Sequence, residues 1–210
     1  ADVINILSPP RGLTVAGDGS IFLTTLNPSS IVRVDPDSGE VTTSSGVGVG
    51  SGPGFSSPRG LTVDDAGMLL VTDSDLKAVF SVDPITGNRN IISGPSIGSG
   101  TDFRYPLGIT VGFNGNIVVA DADLKALVAV DPTTGNREII SGKNKGKGTN
   151  FRTPVGVTFD EEGILVVADQ FRGAVIEVDP DSGDRNVMSN RKTGTGPLRS
   201  EEHTSELQSH

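Results

Sequence analysis

The chain of 210 residues has no cysteine and no tryptophan, a single tyrosine, and only two histidines, His203 and His210, both close to its end. Without cysteine there is no disulfide, no thiolate metal site and no Cys nucleophile. Without histidine before position 203, a Ser-His-Asp triad, His-based acid–base catalysis and imidazole metal ligation are excluded from nearly the whole chain. Any metal site would need oxygen ligands, and hence Ca²⁺ or Mg²⁺. No run approaches the roughly 18 consecutive apolar residues of a membrane helix, so no membrane insertion is expected. No opening segment joins a basic start to an apolar stretch as a signal peptide does, and the chain begins with Ala1 rather than Met. The formal net charge is −9, and residues 1–198 alone carry −7. Such a surface repels phosphate backbones, so no nucleic-acid partner is expected. The one basic run, Lys143-Asn144-Lys145-Gly146-Lys147, reads as a solvated loop.

Turn formers are abundant instead: Gly 28 and Pro 13. They are not scattered. Val-Asp-Pro recurs with its aspartate at Asp35, Asp83, Asp131 and Asp179, in steps of 48. Pro-x-Gly recurs at Pro10-Arg11-Gly12, Pro58-Arg59-Gly60, Pro106-Leu107-Gly108 and Pro154-Val155-Gly156, with the same step. Two independent anchors holding one period over four copies define a repeat protein.

Each unit reads as four short strands. In the third copy these are Gly108–Val111, Asn116–Ala120, Ala126–Val130 and Asn136–Ser141. Asn114-Gly115 supplies a hairpin turn between the first two. Asp131-Pro132-Thr133-Thr134-Gly135 supplies a second turn, where Pro fixes φ and Gly accepts a positive one. Four antiparallel strands per unit of this length predict an all-β fold, a β-propeller of four-stranded blades. The second strands, such as Ile164-Leu165-Val166-Val167-Ala168, are apolar throughout and must be covered on both faces, as stacked blades are. A parallel β-helix is the rival architecture, but its coils are usually shorter and lack two hairpin turns per repeat.

The stretches Pro58-Arg59-Gly60-Leu61-Thr62-Val63 running to Val71-Thr72-Asp73, and Pro154-Val155-Gly156-Val157-Thr158-Phe159 running to Val167-Ala168-Asp169, resemble NHL repeats. These are the blades of NHL and SMP-30/gluconolactonase-like six-bladed propellers. The resemblance covers roughly residues 8–190 and implies blades at about 8–55, 56–103, 104–151 and 152–198. It further implies that four complete blades are part of a six-bladed ring. Val3–Leu7 is expected to be the last strand of a preceding blade. Arg199–His210 matches nothing else in the chain and resembles a translated sequencing adapter. The expectation is a disordered, non-native tail on a gene cut near Leu198 in bulk or environmental sequencing. The lack of cysteine fits the cytosol and equally fits bacterial export, toward which the resemblance leans.

Asp73, Asp121 and Asp169 end the second strands, where the first unit has Thr25, and Asp75 and Asp123 make Asp-x-Asp pairs. One reading is an oxygen cage for Ca²⁺. The other, which recurrence at one place favours, is a side chain accepting backbone N–H groups of the next turn. Asp35, Asp83, Asp131 and Asp179 read as turn formers. The loops Gly46–Phe55, Gly94–Phe103 and Gly142–Phe151 lack the strand-to-helix setting of a phosphate cradle and are expected to be mobile connections. Their terminal Phe55, Phe103 and Phe151 are expected to plug the space between blades.

In the SMP-30/gluconolactonase-like enzymes, Asn and Asp at the x of Pro-x-Gly face the central channel in some blades and bind metal. Here x is Arg11, Arg59, Leu107 and Val155, none of which ligates a divalent cation. No catalytic, metal or cofactor residue is therefore expected in these blades. Arg11 and Arg59 are the candidate ligand-binding residues, suited to an anionic group, against the alternative of arginines paired locally with carboxylates. The expected role is a non-catalytic scaffold presenting loops to a protein, peptide or small ligand. The alternative is a Ca²⁺-dependent lactone hydrolase with its site in other blades.

Overall fold

The computed structural model describes residues 9–113 and 115–190. The expectations for Val3–Leu7, for the end of the last blade beyond residue 190 and for the tail at 199–210 fall outside these residues. The described chain forms sixteen strands in four antiparallel sheets, each in simple meander order. Blade 1 holds β1 (Leu13–Val15), β2 (Ile21–Leu26), β3 (Ser29–Val34) and β4 (Val41–Ser45). Blade 2 holds β5 (Pro58–Val63), β6 (Leu69–Asp73), β7 (Ala78–Val82) and β8 (Arg89–Ser93). Blade 3 holds β9 (Pro106–Val111), β10 (Ile117–Asp121), β11 (Ala126–Val130) and β12 (Arg137–Ser141). Blade 4 holds β13 (Pro154–Phe159), β14 (Leu165–Asp169), β15 (Ala174–Val178) and β16 (Arg185–Asn190).

The first strands lie side by side, β5 against β9 and β9 against β13, which makes them the inner strands. The core is not inside a blade but between blades. Alternation along a strand sends neighbouring residues to opposite joints. In β6, Leu69 and Val71 join Phe22, Ile31, Leu61 and Phe80 in the joint between blades 1 and 2. The intervening Leu70 joins Val79, Phe103, Ile109 and Val119 in the joint between blades 2 and 3. A third cluster, with Val118, Leu127, Phe151, Val167 and Ile176, fills the joint between blades 3 and 4. Each such side chain contributes roughly 1.5–3 kcal/mol on burial. The phenylalanines do plug the joints: Phe103 and Phe151 are both 3 % exposed. Where no described blade follows or precedes, the equivalent positions are open: Leu13 is 62 % exposed, whereas its counterparts Leu61 and Ile109 are each 6 % exposed.

Glycine is required where a blade meets the next. A Cβ on Gly60 of Pro-x-Gly would overlap the carbonyl oxygen of Leu107 in blade 3. This close approach explains the third residue of the motif. Among the described residues no helix is long and apolar enough to cross a membrane.

Candidate functional site

Antiparallel pairing puts the start of each inner strand beside the end of the second strand, as in Pro58 opposite Asp73 and Pro106 opposite Asp121. This end of the blades is the upper rim, and the x residues stand on it. Their backbone is fixed across blades. The Thr24 hydroxyl accepts from Gly12 N at 2.8 Å and donates to the carbonyl of Arg59 at 2.6 Å. Thr72 repeats this between Gly60 N and the carbonyl of Leu107.

Arg59 is half-buried and reaches toward blade 3. Its Nε donates to Ser74 Oγ at 3.2 Å and its Nη2 to the Tyr105 hydroxyl at 3.0 Å. The guanidinium carbon also lies 5.6 Å from the Tyr105 ring centre. The partners are thus two hydroxyls and an aromatic ring, not the carboxylate that local ion pairing would require. Arg11 is exposed, and among the described residues its side chain makes no hydrogen bond. Leu107 and Val155 complete the x positions and offer no oxygen donors. Blade 4 departs from the others on this rim: Phe171, 72 % exposed, carries the Arg152 guanidinium 5.4 Å from its ring centre.

The buried carboxylates answer to the backbone. Asp121, 0 % exposed, accepts from Arg104 N at 2.7 Å, Tyr105 N at 3.0 Å and Leu124 N at 3.0 Å. Asp73 accepts from Ser56 N, Ser57 N, Asp75 N and Leu76 N. Asp169 accepts from Arg152 N, Thr153 N and Arg172 N. Each one ties the connection entering its blade to the turn that follows its second strand. Their lone pairs are committed to N–H donors, and among the described residues no group of three carboxylates is placed to hold a metal. With arginine and aliphatic residues at x, this donor set does not fit Ca²⁺.

The aspartates of Val-Asp-Pro cap their turns. Asp131 Oδ1 accepts from Thr133 N at 2.8 Å and Thr134 N at 3.0 Å. Asp35, Asp83 and Asp179 do the same in their turns. Hydrogen bonds from the turn hold the carboxyls of all four below the ordinary aspartate value. The leading donor is Ser38 for Asp35, Thr86 for Asp83, Thr134 for Asp131 and Ser182 for Asp179.

The glycine-rich loops, expected to be mobile, are pinned. The residue that opens the fourth strand of blades 2, 3 and 4 is an arginine that reaches into the loop of the blade before it. Arg137 donates to Ser93 Oγ at 2.9 Å, to the carbonyl of Ile97 at 2.7 Å and to that of Thr101 at 2.8 Å. Its guanidinium lies 5.6 Å from the ring centre of Phe103. Arg89 makes the same set with Ser45, Val49, Pro53 and Phe55, and Arg185 with Ser141, Lys145, Thr149 and Phe151. Arg89, Arg137 and Arg185 are each 6 % exposed. Burial lowers the proton affinity of Arg89 and of Arg185, with nearby Asp184 offsetting part of the effect at Arg185. Arg137 adds an ion pair with Asp102 at 3.3 Å. Sequence reasoning missed these arginines, although they too recur every 48 residues. Blade 1 has Val41 at that position.

Two of the cavities lie at neither the rim nor these arginines. A groove of about 610 Å³ opens between blades 1 and 2 on the lower side, and one of about 310 Å³ lies in the same place between blades 2 and 3.

Neither a protein-family model nor a curated protein sequence matches the chain. Solved structures do. Virginiamycin B lyase from Staphylococcus aureus, crystallised with quinupristin, superposes with a TM-score of 0.65 at 20 % identity, over 89 % of this chain and 57 % of that one. The fold is a β-propeller. A gluconolactonase from Xanthomonas campestris gives a TM-score of 0.64 at 18 % identity, over 85 % of this chain and 61 % of its own. A chain of the nidogen/laminin complex gives 0.53 at 20 % identity, over 87 % and 79 %. The propeller described here spans about half the length of the first structures it matches, between 47 % and 57 %.

Proposed function

We propose that this propeller is a non-catalytic binding module of NHL type, which recognises an anionic group on a protein, peptide or small ligand at its upper rim. The observation that carries the reading is Arg59. It is a rim cation that the fold positions without a carboxylate partner, between the hydroxyls of Ser74 and Tyr105 and the Tyr105 ring. A guanidinium oriented on an aromatic face is suited to a carboxylate or phosphate. The repeated charged residues support the same view by elimination. Asp73, Asp121 and Asp169 are committed to the backbone of their own blades, and Arg89, Arg137 and Arg185 to the joints between blades, which leaves recognition to the residues that vary between blades. The nidogen/laminin complex is a case of this fold within a protein–protein assembly. The lyase and the gluconolactonase are catalytic cases, but among the described residues no carboxylate cluster offers the oxygen donors that lactone hydrolysis with Ca²⁺ would need.

The test is calorimetric titration with a panel of carboxylated and phosphorylated peptides and sugars, on the wild type and Arg59→Ala. The expected result is at least one ligand whose affinity falls about tenfold or more in the variant, the scale of one charge-assisted hydrogen bond. Turnover of a lactone by the wild type in the presence of Ca²⁺ would replace this reading with the hydrolase.

A further inference from the structure

The grooves under the first two joints are built from equivalent residues. In the first, Ala16, Phe22, Arg33, Ser44, Val63 and Pro84 take the places that Asp64, Leu70, Ser81, Ile92, Val111 and Pro132 take in the second. One exchange removes filling. Ile92 packs against the core of the second joint, and Ile140 against that of the third. Their counterpart in the first joint is Ser44, whose hydroxyl donates to the carbonyl of Pro84 at 3.0 Å. The first groove is about 610 Å³ where the second is about 310 Å³. That is within the range of small-molecule sites, roughly 300–1,000 Å³.

Its chemistry is legible. Phe22, Val49, Val63 and Ile85 give apolar surface, and Ile85 stands 93 % exposed at the margin. Arg33 is the cation. Its Nε and Nη2 donate to Ser20 Oγ at 2.9 and 2.6 Å, which leaves three of its five N–H donors for another acceptor. Asp18 also lines the groove and is kept ionised by hydrogen bonds from Ser20, with Arg33 nearby. A cation and an anion together disfavour a ligand of either charge.

We infer that the joint between blades 1 and 2 is a binding groove for a small uncharged molecule with an apolar body and a carbonyl oxygen, the oxygen accepting from Arg33. This site is separate from the upper rim and does not depend on Arg59.

The full chain, labelled with ¹⁵N, is titrated with acetophenone as probe, with toluene lacking the acceptor and benzoate carrying a charge. Saturable shifts are expected at the amides of Phe22, Arg33, Thr43 and Val63, with acetophenone binding more tightly than either comparator. Ser44→Ile installs the residue of the next two joints, and should weaken acetophenone at least about tenfold while the melt stays cooperative. The reciprocal pair Ile92→Ser with Ser81→Arg, which installs both features of the first groove, should create acetophenone shifts at Leu70, position 92 and Val111, and it decides the matter if Ser44→Ile does not fold. Arg59→Ala should change nothing, so failure here and failure at the rim are told apart. Absence of saturation, shifts confined to the exposed face of Leu13 and Val15, or unchanged affinity in Ser44→Ile overturns the site. Toluene binding as tightly as acetophenone overturns the part given to Arg33, and benzoate binding more tightly overturns the preference for an uncharged ligand.

Discussion

Arg89 belongs to blade 2 and Ser45 to blade 1, yet Nη1 of the first donates to the hydroxyl oxygen of the second at 2.8 Å, with both side chains buried. The same pairing joins Arg137 to Ser93 and Arg185 to Ser141. A joint of this fold is therefore an apolar contact closed by one buried guanidinium, with its charge spread over loop carbonyls and an aromatic face.

Removing that guanidinium leaves several buried carbonyls without donors. Arg137→Ala is expected to lower unfolding free energy by about 2–4 kcal/mol, from more than one unsatisfied acceptor. Arg137→Lys should recover little, because an ammonium cannot serve Ser93, Ile97 and Thr101 in one fixed fork. Urea melts of the two variants check both statements.

Asp121 poses the converse case. Asp121→Ala strands three backbone N–H groups and should cost about 2–4 kcal/mol. Asp121→Asn should not be neutral, since its amide NH₂ would face a backbone donor where the carboxylate presented oxygen. Equal stability of Asp121→Asn and the wild type in denaturant would show that the second oxygen is dispensable.

Two glycines of like backbone separate strain from contact. Gly98 and Gly163 have φ of +77° and +82°. A Cβ on Gly163 meets open space, whereas one on Gly98 would overlap the carbonyl of Gly135 in the next blade. Gly163→Ala should cost about 1 kcal/mol, for the left-handed φ alone. Gly98→Ala should cost clearly more, as read from melting temperatures measured side by side.

Acid should loosen the turns. The carboxyls of Asp35, Asp83, Asp131 and Asp179 titrate lower in the folded chain than in the unfolded one. Their contribution is therefore present above the unfolded value and is lost as pH falls through the folded ones, so stability should drop as pH goes below about 4. Replacing all four by Asn should flatten that part of a stability–pH profile.

The blades were legible because their period is written twice, in Pro-x-Gly and Val-Asp-Pro, and because turn chemistry and apolar second strands are local signals. The strand Ala126–Val130 falls where the pattern places it. The buried arginines were equally periodic but not equally legible. Arginine on a strand with polar neighbours such as Asn90 and Glu138 reads as surface, and its burial depends on a loop supplied by another blade. The glycine-rich loops were misread for the same reason: their order comes from Arg89, Arg137 and Arg185, not from their own residues. At the rim, sequence identified Arg59 but not its partner. Tyr105 lies 46 residues away, and only the stacking of blades brings its hydroxyl to the guanidinium.

The central claim is a division of labour, in which the repeated charges hold the framework and the variable rim recognises the ligand. Its most direct measurement is ligand affinity and melting temperature on the same preparations of Arg59→Ala and Arg137→Ala. The account predicts that Arg59→Ala melts within a degree or two of the wild type, as a half-exposed substitution should, and binds the anionic ligand at least about tenfold more weakly. Arg137→Ala should melt several degrees lower and, below its melting range, bind as the wild type does. A large loss of stability in Arg59→Ala with affinity preserved would contradict the account, because the rim arginine would then be one more piece of framework.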